Sequence, residues 1–493
     1  MTHTLNAYYY PGAATTAAAT TLAFTSAVSL GTTGLQLTAY DMGMPSTQAA
    51  RNSSLYSDAP RPQYSRRTTV VDTLTFDVRG SSYSALYTLL HQVAQLGEYA
   101  RLAMEHPHAR SVAYMEFRPN PASAGETVYA AIYDARLSMP ADWAANVTVT
   151  NEIRSVVLVI ERDIWRAAAP VIGFYAEGWP QAGVTVLPMS AAKGSVGGAS
   201  FTIVPKGDIQ ALGGAYVGSI ASGAIDHIIL GYRSAALGGA NHATLGKRQC
   251  EAATFGIIAD TTAGADATAS GGQAAITTFA TSASSTIRFT GGSIPHGVHR
   301  VFARVRVTAG TTAKLKIGYQ DETNALGAVW ATNDAVTVTS STYVTVDLGP
   351  ISIYQSVSTL MIDDAATGCY AIYAERTAGA GSLYVDYLFL MPTEGYVRVW
   401  DAGITAANAF AMMHDETGFA FKGAFIVSAL SAAYNARVRL CRYSGELNIK
   451  PGAGTFYWIT GQDSGGNILD SLSTTEPSLS VRALARYLTP VAA

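Results

Sequence analysis

The stretch VVLVIERDIWR, Val156 to Arg166, ends on two acids one residue apart, Glu161 and Asp163. Alternate side chains of a strand share a face. Two carboxylates on one face are what a glycosidase uses, one as acid and the other as base or nucleophile. Arg162 and Arg166 flank them, and a charged strand exit in which each acid is neutralised by a neighbour is the competing reading. No second motif supports catalysis. The chain has no GxSxG elbow, no GxxxxGK[ST] phosphate loop and no HExxH helix, so hydrolase, nucleotide and zinc-protease chemistries lack their parts. The glycine-rich KGSVGGAS and ALGGAYVG lack dinucleotide spacing and read as turns. No catalytic group and no cofactor is expected.

Other chemistry-bearing residues are scattered. His106-Pro-His108 and the pair His296 and His299 have no Cys or acidic cluster at ligand spacing, so they read as exposed loop histidines rather than a metal site. Asp363 and Asp364 could contribute to a Ca2+ site, which needs six to eight oxygens. Tyr319, Trp330, Tyr343 and Tyr354 could form a platform on which a sugar ring lays its C–H face. The alternative for these aromatics is the core.

Composition narrows the field. Charged residues are 14% and the formal net charge is -3. Without a basic run, specific nucleic-acid binding is not expected. No run approaches the roughly 20 apolar residues of a membrane helix. The start has no basic region or clean apolar segment of a secretory signal, His3 being the sole potential cation before Arg51. Three cysteines, Cys250, Cys369 and Cys441, leave at least one unpaired within the chain. A chain of 493 residues exceeds one ordinary core and implies about three domains.

The elements that must position these residues are mostly strands. RTTVVDTLTFDVR (67–79) alternates Leu74, Phe76 and Val78 with Thr75, Asp77 and Arg79. In SYSALYTLLHQVAQLGEYARLAM, Leu86, Leu89, Leu90, Val93 and Leu96 recur at helical spacing. Strands follow at 111–117, 127–139 and 151–165. Residues 261–285, low in large apolar side chains, read as a linker around one strand. From 286 about eight short strands separated by turn signals predict an antiparallel sandwich, and the last hundred residues are again strand-like around the Pro451-Gly452 turn.

The order of these segments resembles the distal tail and tail-hub-associated proteins of long-tailed bacteriophages. The resemblance is carried by the amphipathic helix with Ala100-Arg101, VIERDIWR, IDHIILGYR, GELNIKPGAGTFYWI and VRALARYL. It implies a mainly β chain in three parts. Residues 1–165 would be an α+β sandwich or split barrel that forms a ring. Residues 166–250 plus 393–493 would be a discontinuous jelly-roll-like domain. Residues 251–392 would be an inserted β-sandwich, whose LYVDYLFLMP resembles the last strand of carbohydrate-binding modules. Residues 1–60, which match no part of the pattern, are expected to form an arm reaching a neighbouring subunit. Glu161, Asp163 and Trp165 would mark the domain junction, with Trp165 between domains. The implied role is structural, in a six-fold homo-oligomeric ring in the virion tail, assembled in the host cytoplasm and contacting tail tube, hub or baseplate proteins. The alternatives are adhesion to host-surface glycans through the sandwich and, last, glycan degradation by Glu161 and Asp163.

Overall fold

The computed structural model describes residues 4–9, 19–25, 33–45, 47–52, 61–67, 69–105, 113–119, 127–144, 151–167, 185–188, 196–203, 211–218, 224–234, 246–249, 261–279, 283–289, 297–321, 329–330, 334–353, 368–400, 404–405, 410–413, 420–423, 439–440, 442–450, 452–470, 478–483 and 486–488. The fold is mainly β, with one long helix among the described residues. By internal contacts the chain forms two units. One comprises Met1–Gln181, Pro205–Gln210 and Leu484–Ala493, the other Ala182–Val204 and Ala211–Ala483. The last ten residues, grouped with the second domain on sequence grounds, thus belong by contact with the first unit.

The first unit is built on a sheet that closes on itself. Its strands run Val128–Ser138, Ala113–Arg118, Thr4–Tyr9, Thr20–Thr25, Gly34–Asp41, Val70–Arg79 and Glu152–Arg162, and the last pairs back onto the first. Closure removes the free edges that an open sheet would expose. All these pairings are antiparallel except the short one joining Phe24 and Thr25 to Leu35 and Gln36. Three of the strands, Thr4–Tyr9, Thr20–Thr25 and Gly34–Asp41, come from the first 60 residues and are barrel wall rather than arm. Their inward positions are Leu5, Ala7 and Tyr9, then Leu22 and Phe24, which are buried. The tyrosine run divides accordingly. Tyr9 turns inward, stacks on Tyr99 and donates to Gln95 Oε1 at 2.9 Å, while Tyr8 stacks on Tyr114 at 4.8 Å between ring centres. A separate antiparallel hairpin pairs Thr47–Asn52 with Arg61–Arg67.

The helix Tyr83–Glu105 buries Leu86, Leu90, Val93, Leu96 and Ala100 in the same core as the inward faces of the barrel strands. Each large side chain withdrawn this way contributes about 1.5–3 kcal/mol. Gly97 interrupts the apolar stripe for a steric reason: a Cβ there would overlap the backbone carbonyl of Ala135. Beyond the barrel, the two-residue strand Trp165–Arg166 pairs with Arg486–Tyr487.

The second unit contains the expected sandwich, but not as a free-standing body. A five-stranded sheet (Ser284–Phe289, Gly368–Ala378, Thr312–Asp321, Val329–Trp330 and Val336–Val338) faces strands of a twelve-stranded sheet. Ile287, Phe289, Val301, Val305, Leu315, Ile317, Val344, Ile372 and Leu390 fill the space between. Within the larger sheet Val344–Ile353 pairs with Asn467–Asp470, which pairs with Gly452–Ser464. One continuous sheet therefore runs out of the sandwich into strands from either side of it in sequence. Ile229, Phe302, Tyr387, Phe389, Met391, Ile459 and Ile468 form a further buried cluster from both sets of strands. Residues 261–285, read as a linker, hold two paired strands, Thr261–Ala265 and Gln273–Thr277, whose Ala274 and Ala275 are fully buried. Their small side chains hid the pattern. KGSVGGAS and ALGGAYVG, read as turns, lie largely in strands Val196–Ile203 and Ala211–Gly218.

Candidate functional site

The end of the Glu152–Arg162 strand is organised by the residue between the two acids. Val156, Leu158 and Ile160 point into the core, and the same alternation carries Arg162 inward. Across the ladder Asp72 lies on the inward face of Val70–Arg79. Both side chains are buried, and their ion pair is bidentate, Nε to Oδ2 at 2.6 Å and Nη2 to Oδ1 at 3.0 Å. Asp72 also accepts from the Tyr40 hydroxyl at 2.8 Å and the Gly43 amide at 2.9 Å. Burial, then the charge of Asp72, pushes the Tyr40 hydroxyl far above its ordinary value. Arg162 completes its bonds with the Asp163 carbonyl at 2.9 Å and stands 4.2 Å from the centre of the Trp165 ring. Such a pair survives burial because nearly every donor and acceptor is matched.

Glu161 and Asp163 do not share a site. Glu161 accepts from the Thr69 hydroxyl at 2.6 Å. Asp163 lies past the end of the strand, where its amide donates to the Ala131 carbonyl and its carboxylate takes the Ile164 amide and the Arg486 guanidinium at 2.8 and 2.9 Å. Nearby, burial and then Asp163 push the Tyr133 hydroxyl up to about 12. The same-face premise fails because regular alternation stops at Arg162. Trp165 is fully buried in the first unit's core, against Phe117 and in the cluster that includes Tyr487.

The four aromatics do not form one platform. Tyr343 is buried, donates to Asp266 Oδ2 at 2.9 Å, and has the guanidinium carbons of Arg304 and Arg306 at 4.4 and 5.4 Å from its ring centre. It offers no ring face to a sugar. In the ladder between Thr312–Asp321 and Val329–Trp330, Gly318 pairs with Trp330 and Tyr319 with Val329, so Tyr319 and Trp330 occupy successive register positions. Tyr354 lies outside the described residues.

Tyr343 belongs to a network that the sequence did not advertise. Asp266 receives Arg306 (Nη2 at 2.7 Å), the Thr268 hydroxyl at 2.6 Å and the Thr268 amide at 2.9 Å. Burial alone would raise its pKa, but these donors together hold the carboxyl well below the usual range. Arg304 pairs with the fully buried Asp386, which also accepts from the Ser270 amide and hydroxyl. Asp347 takes Arg300 and Arg398, both at 2.8 Å. The legible signal was parity: Asp72 falls in step with Leu74, Phe76 and Val78, and Asp386 lies inside the apolar run LYVDYLFLMP. These acids are all engaged by arginine, an arrangement that organises a core rather than one that moves protons.

Among the described residues no group of three His, Cys, Asp or Glu side chains is placed to hold a metal ion. His299, read as an exposed loop residue, is buried in the strand Gly297–Val307 with Nε2 3.0 Å from the Tyr370 hydroxyl. Asp363, Asp364, His106, His108 and His296 lie outside the described residues, as do Cys250 and Cys441. No described helix is long and apolar enough to cross a membrane.

No family model and no curated protein matches the chain. Among solved structures it is similar to the xylan-binding CBM22-1 domain of Paenibacillus barcinonensis Xyn10C, at 18% identity over 30% of this chain and 97% of that one, with a TM-score of 0.22. It is similar to the SPP1 phage Dit protein at 7% identity over 72% and 93% of the two chains, TM-score 0.23. It is also similar to the phage p2 baseplate in its activated conformation with Sr, at 8% identity over 78% and 97%, TM-score 0.22. Likenesses this slight carry no argument about the chain.

Proposed function

We propose that this chain is a structural component of a bacteriophage tail, of the distal-tail type, assembling with copies of itself into a six-fold ring that joins the tail tube to the tip or baseplate and performing no catalytic step. The observation that supports this reading is the pairing of two of the motifs that carry the resemblance. HIILGYR and GAGTFYWI stand on either side of the inserted sandwich in sequence, yet their strands lie side by side, His227 opposite Gly461 through to Ser234 opposite Gly454. That is what one domain interrupted by an insertion requires. The closed barrel of the first unit suits a ring wall, because identical chains in a cyclic ring meet through heterologous interfaces and a closed sheet leaves no edge for unlimited pairing.

The partners under this reading are further copies of the chain and other tail tube, hub or baseplate proteins, and the location is the virion tail. The test is electron microscopy with mass measurement on the purified chain under assembly-permissive conditions. Rings of six copies are expected, and a stable monomer throughout would overturn the assignment.

A further inference from the structure

The outer face of the first unit's barrel carries acids of one sign around an uncharged centre. Buried residues of Val70–Arg79 and Glu152–Arg162 alternate with outward ones, so Val71, Thr73, Thr75 and Asp77 share a face with Val157, Val159 and Glu161. Register sets Glu161 beside Val71, Val159 beside Thr73 and Val157 beside Thr75. On the other side Asp41, Ala39 and Gln36 lie opposite Thr73, Thr75 and Asp77. The centre of this face is uncharged, and Val71 is 53% exposed. Glu161 and Asp41 stand near one end, and Asp77 stands at the other, about 20 Å along the strand from Val71. Among the described residues these three acids form no ion pair: Glu161 takes the Thr69 hydroxyl and Asp77 the Ser155 amide. Arg136, opposite Val159 on the strand that closes the barrel, is held by its own Asp134.

The hairpin of Thr47–Asn52 and Arg61–Arg67 has the opposite charge. Its strands hold Arg51, Arg61, Arg66 and Arg67 and no acid, on a chain whose formal net charge is -3. The ladder puts Arg51 and Arg61 toward one end and Arg66 and Arg67 at the other, with Ala49, Ala50, Tyr64 and Ser65 between. Those ends are about 17 Å apart. The hairpin pairs with no other described strand. Because a lone two-stranded hairpin is at best marginally stable in water, it needs a surface to lie on. Pro62 and the arginines disfavour the addition of a further strand at its edge, which leaves docking by a face.

We propose that the arginine hairpin of one copy lies on the acidic barrel face of the next copy in the ring. The arginines at its two ends meet Asp41 and Glu161 at one end of the face and Asp77 at the other, and its uncharged middle covers Val71, Thr73, Val157 and Val159. Charge complementarity selects the occupant. The two surfaces are opposite in sign, similar in length and uncharged at the centre, and both belong to one chain. That is what a heterologous interface closing into a ring requires. The proposal rests on the ring reading. A basic β-ribbon also fits the major groove of duplex DNA, but four arginines supply few of the phosphate contacts that drive such binding.

The test is mass measurement on the full-length chain across a concentration series, with two charge reversals. One is Arg66→Glu with Arg67→Glu on the hairpin, the other Asp41→Arg with Glu161→Arg on the face. Each should raise the concentration at which the chain assembles at least about tenfold, because like charges then meet across the interface, while the melting profile stays that of the wild type. An equimolar mixture of the two should assemble again near the wild-type concentration. In the mixture the acidic hairpin of one variant meets the basic face of the other, and the unaltered hairpin of the second meets the unaltered face of the first. Wild-type assembly should weaken as salt rises.

The interface is overturned if either reversal leaves assembly unchanged, or if two variants that melt like the wild type fail to assemble when mixed. It is also overturned if the wild type binds duplex DNA, the hairpin variant does not, and the two assemble equally, since the arginines then serve nucleic acid. These results leave the ring assignment standing, because the wild type still assembles. A wild type that stays monomeric overturns the ring assignment and this interface together, and that outcome is read before any variant is made.

Discussion

At the scale of single residues, the chemistry of this chain is the chemistry of buried arginine–aspartate pairs. Asp72 and Arg162 are both withdrawn from water, so removing one partner strands the other's charge. Asp72→Ala should destabilise the first unit by about 3–5 kcal/mol, whereas Asp72→Leu combined with Arg162→Met should cost far less, because neither charge then needs a partner. Chemical denaturation of the two variants checks this. Asp266 makes a pH prediction. Its carboxyl is held below its ordinary value in the folded state, so its contribution is complete above the unfolded carboxylate pKa of about 3.9 and is lost as pH falls through the folded value. The melting temperature of the wild type should fall on acidification below about pH 4, and Asp266→Asn should be less stable at neutral pH but flatter across that acid range. An identical acid slope in both would remove Asp266 from the account.

At the scale of elements, packing overrides propensity at identifiable places. Alanine is the better helix former by about 1 kcal/mol, so an exposed glycine replaced by it would stabilise the helix. Gly97→Ala should do the reverse, costing about 1–3 kcal/mol, because the added methyl meets the Ala135 carbonyl; thermal melting reads the sign directly. Gly231 in the IILGYR strand has the same reason, since a Cβ there would strike Met391 and the Pro392 carbonyl. The helix and the strands Val70–Arg79 and Glu152–Arg162 were legible because large apolar residues mark one face at the right period. The strands within residues 1–60 and 261–285 were not, because alanine, glycine and threonine give little contrast between a buried and an exposed position. Their role emerges only when a partner strand covers them.

At the scale of the whole molecule, the inserted sandwich is stitched into its host. The pairing of Val344–Ile353 with Asn467–Asp470, and the cluster of Phe302, Tyr387 and Phe389 with Ile229, Ile459 and Ile468, use residues from both sides of the sandwich boundary. A fragment of residues 251–392 alone would bare an unpaired strand edge and an apolar patch, the combination that promotes association. It should therefore aggregate or melt well below the same strands in the intact chain. Hydrogen exchange at Val344 and Thr345 should rise in the fragment, and protection equal to that in the intact chain would show that the sandwich stands alone.

By itself the sequence determined which face of each strongly patterned element is apolar, the mainly β class, the long helix that begins near Tyr83, and the absence of the familiar hydrolase and nucleotide motifs. Those properties follow from local periodicity, which a linear string displays. Only the tertiary structure decided that Glu161 and Asp163 serve different neighbours and that Tyr343 is filled on its ring face by arginine. Each of these depends on register between strands far apart in the chain. A shift of one residue in that register exchanges the two faces of a strand, so the sequence pattern alone could not choose among the partners.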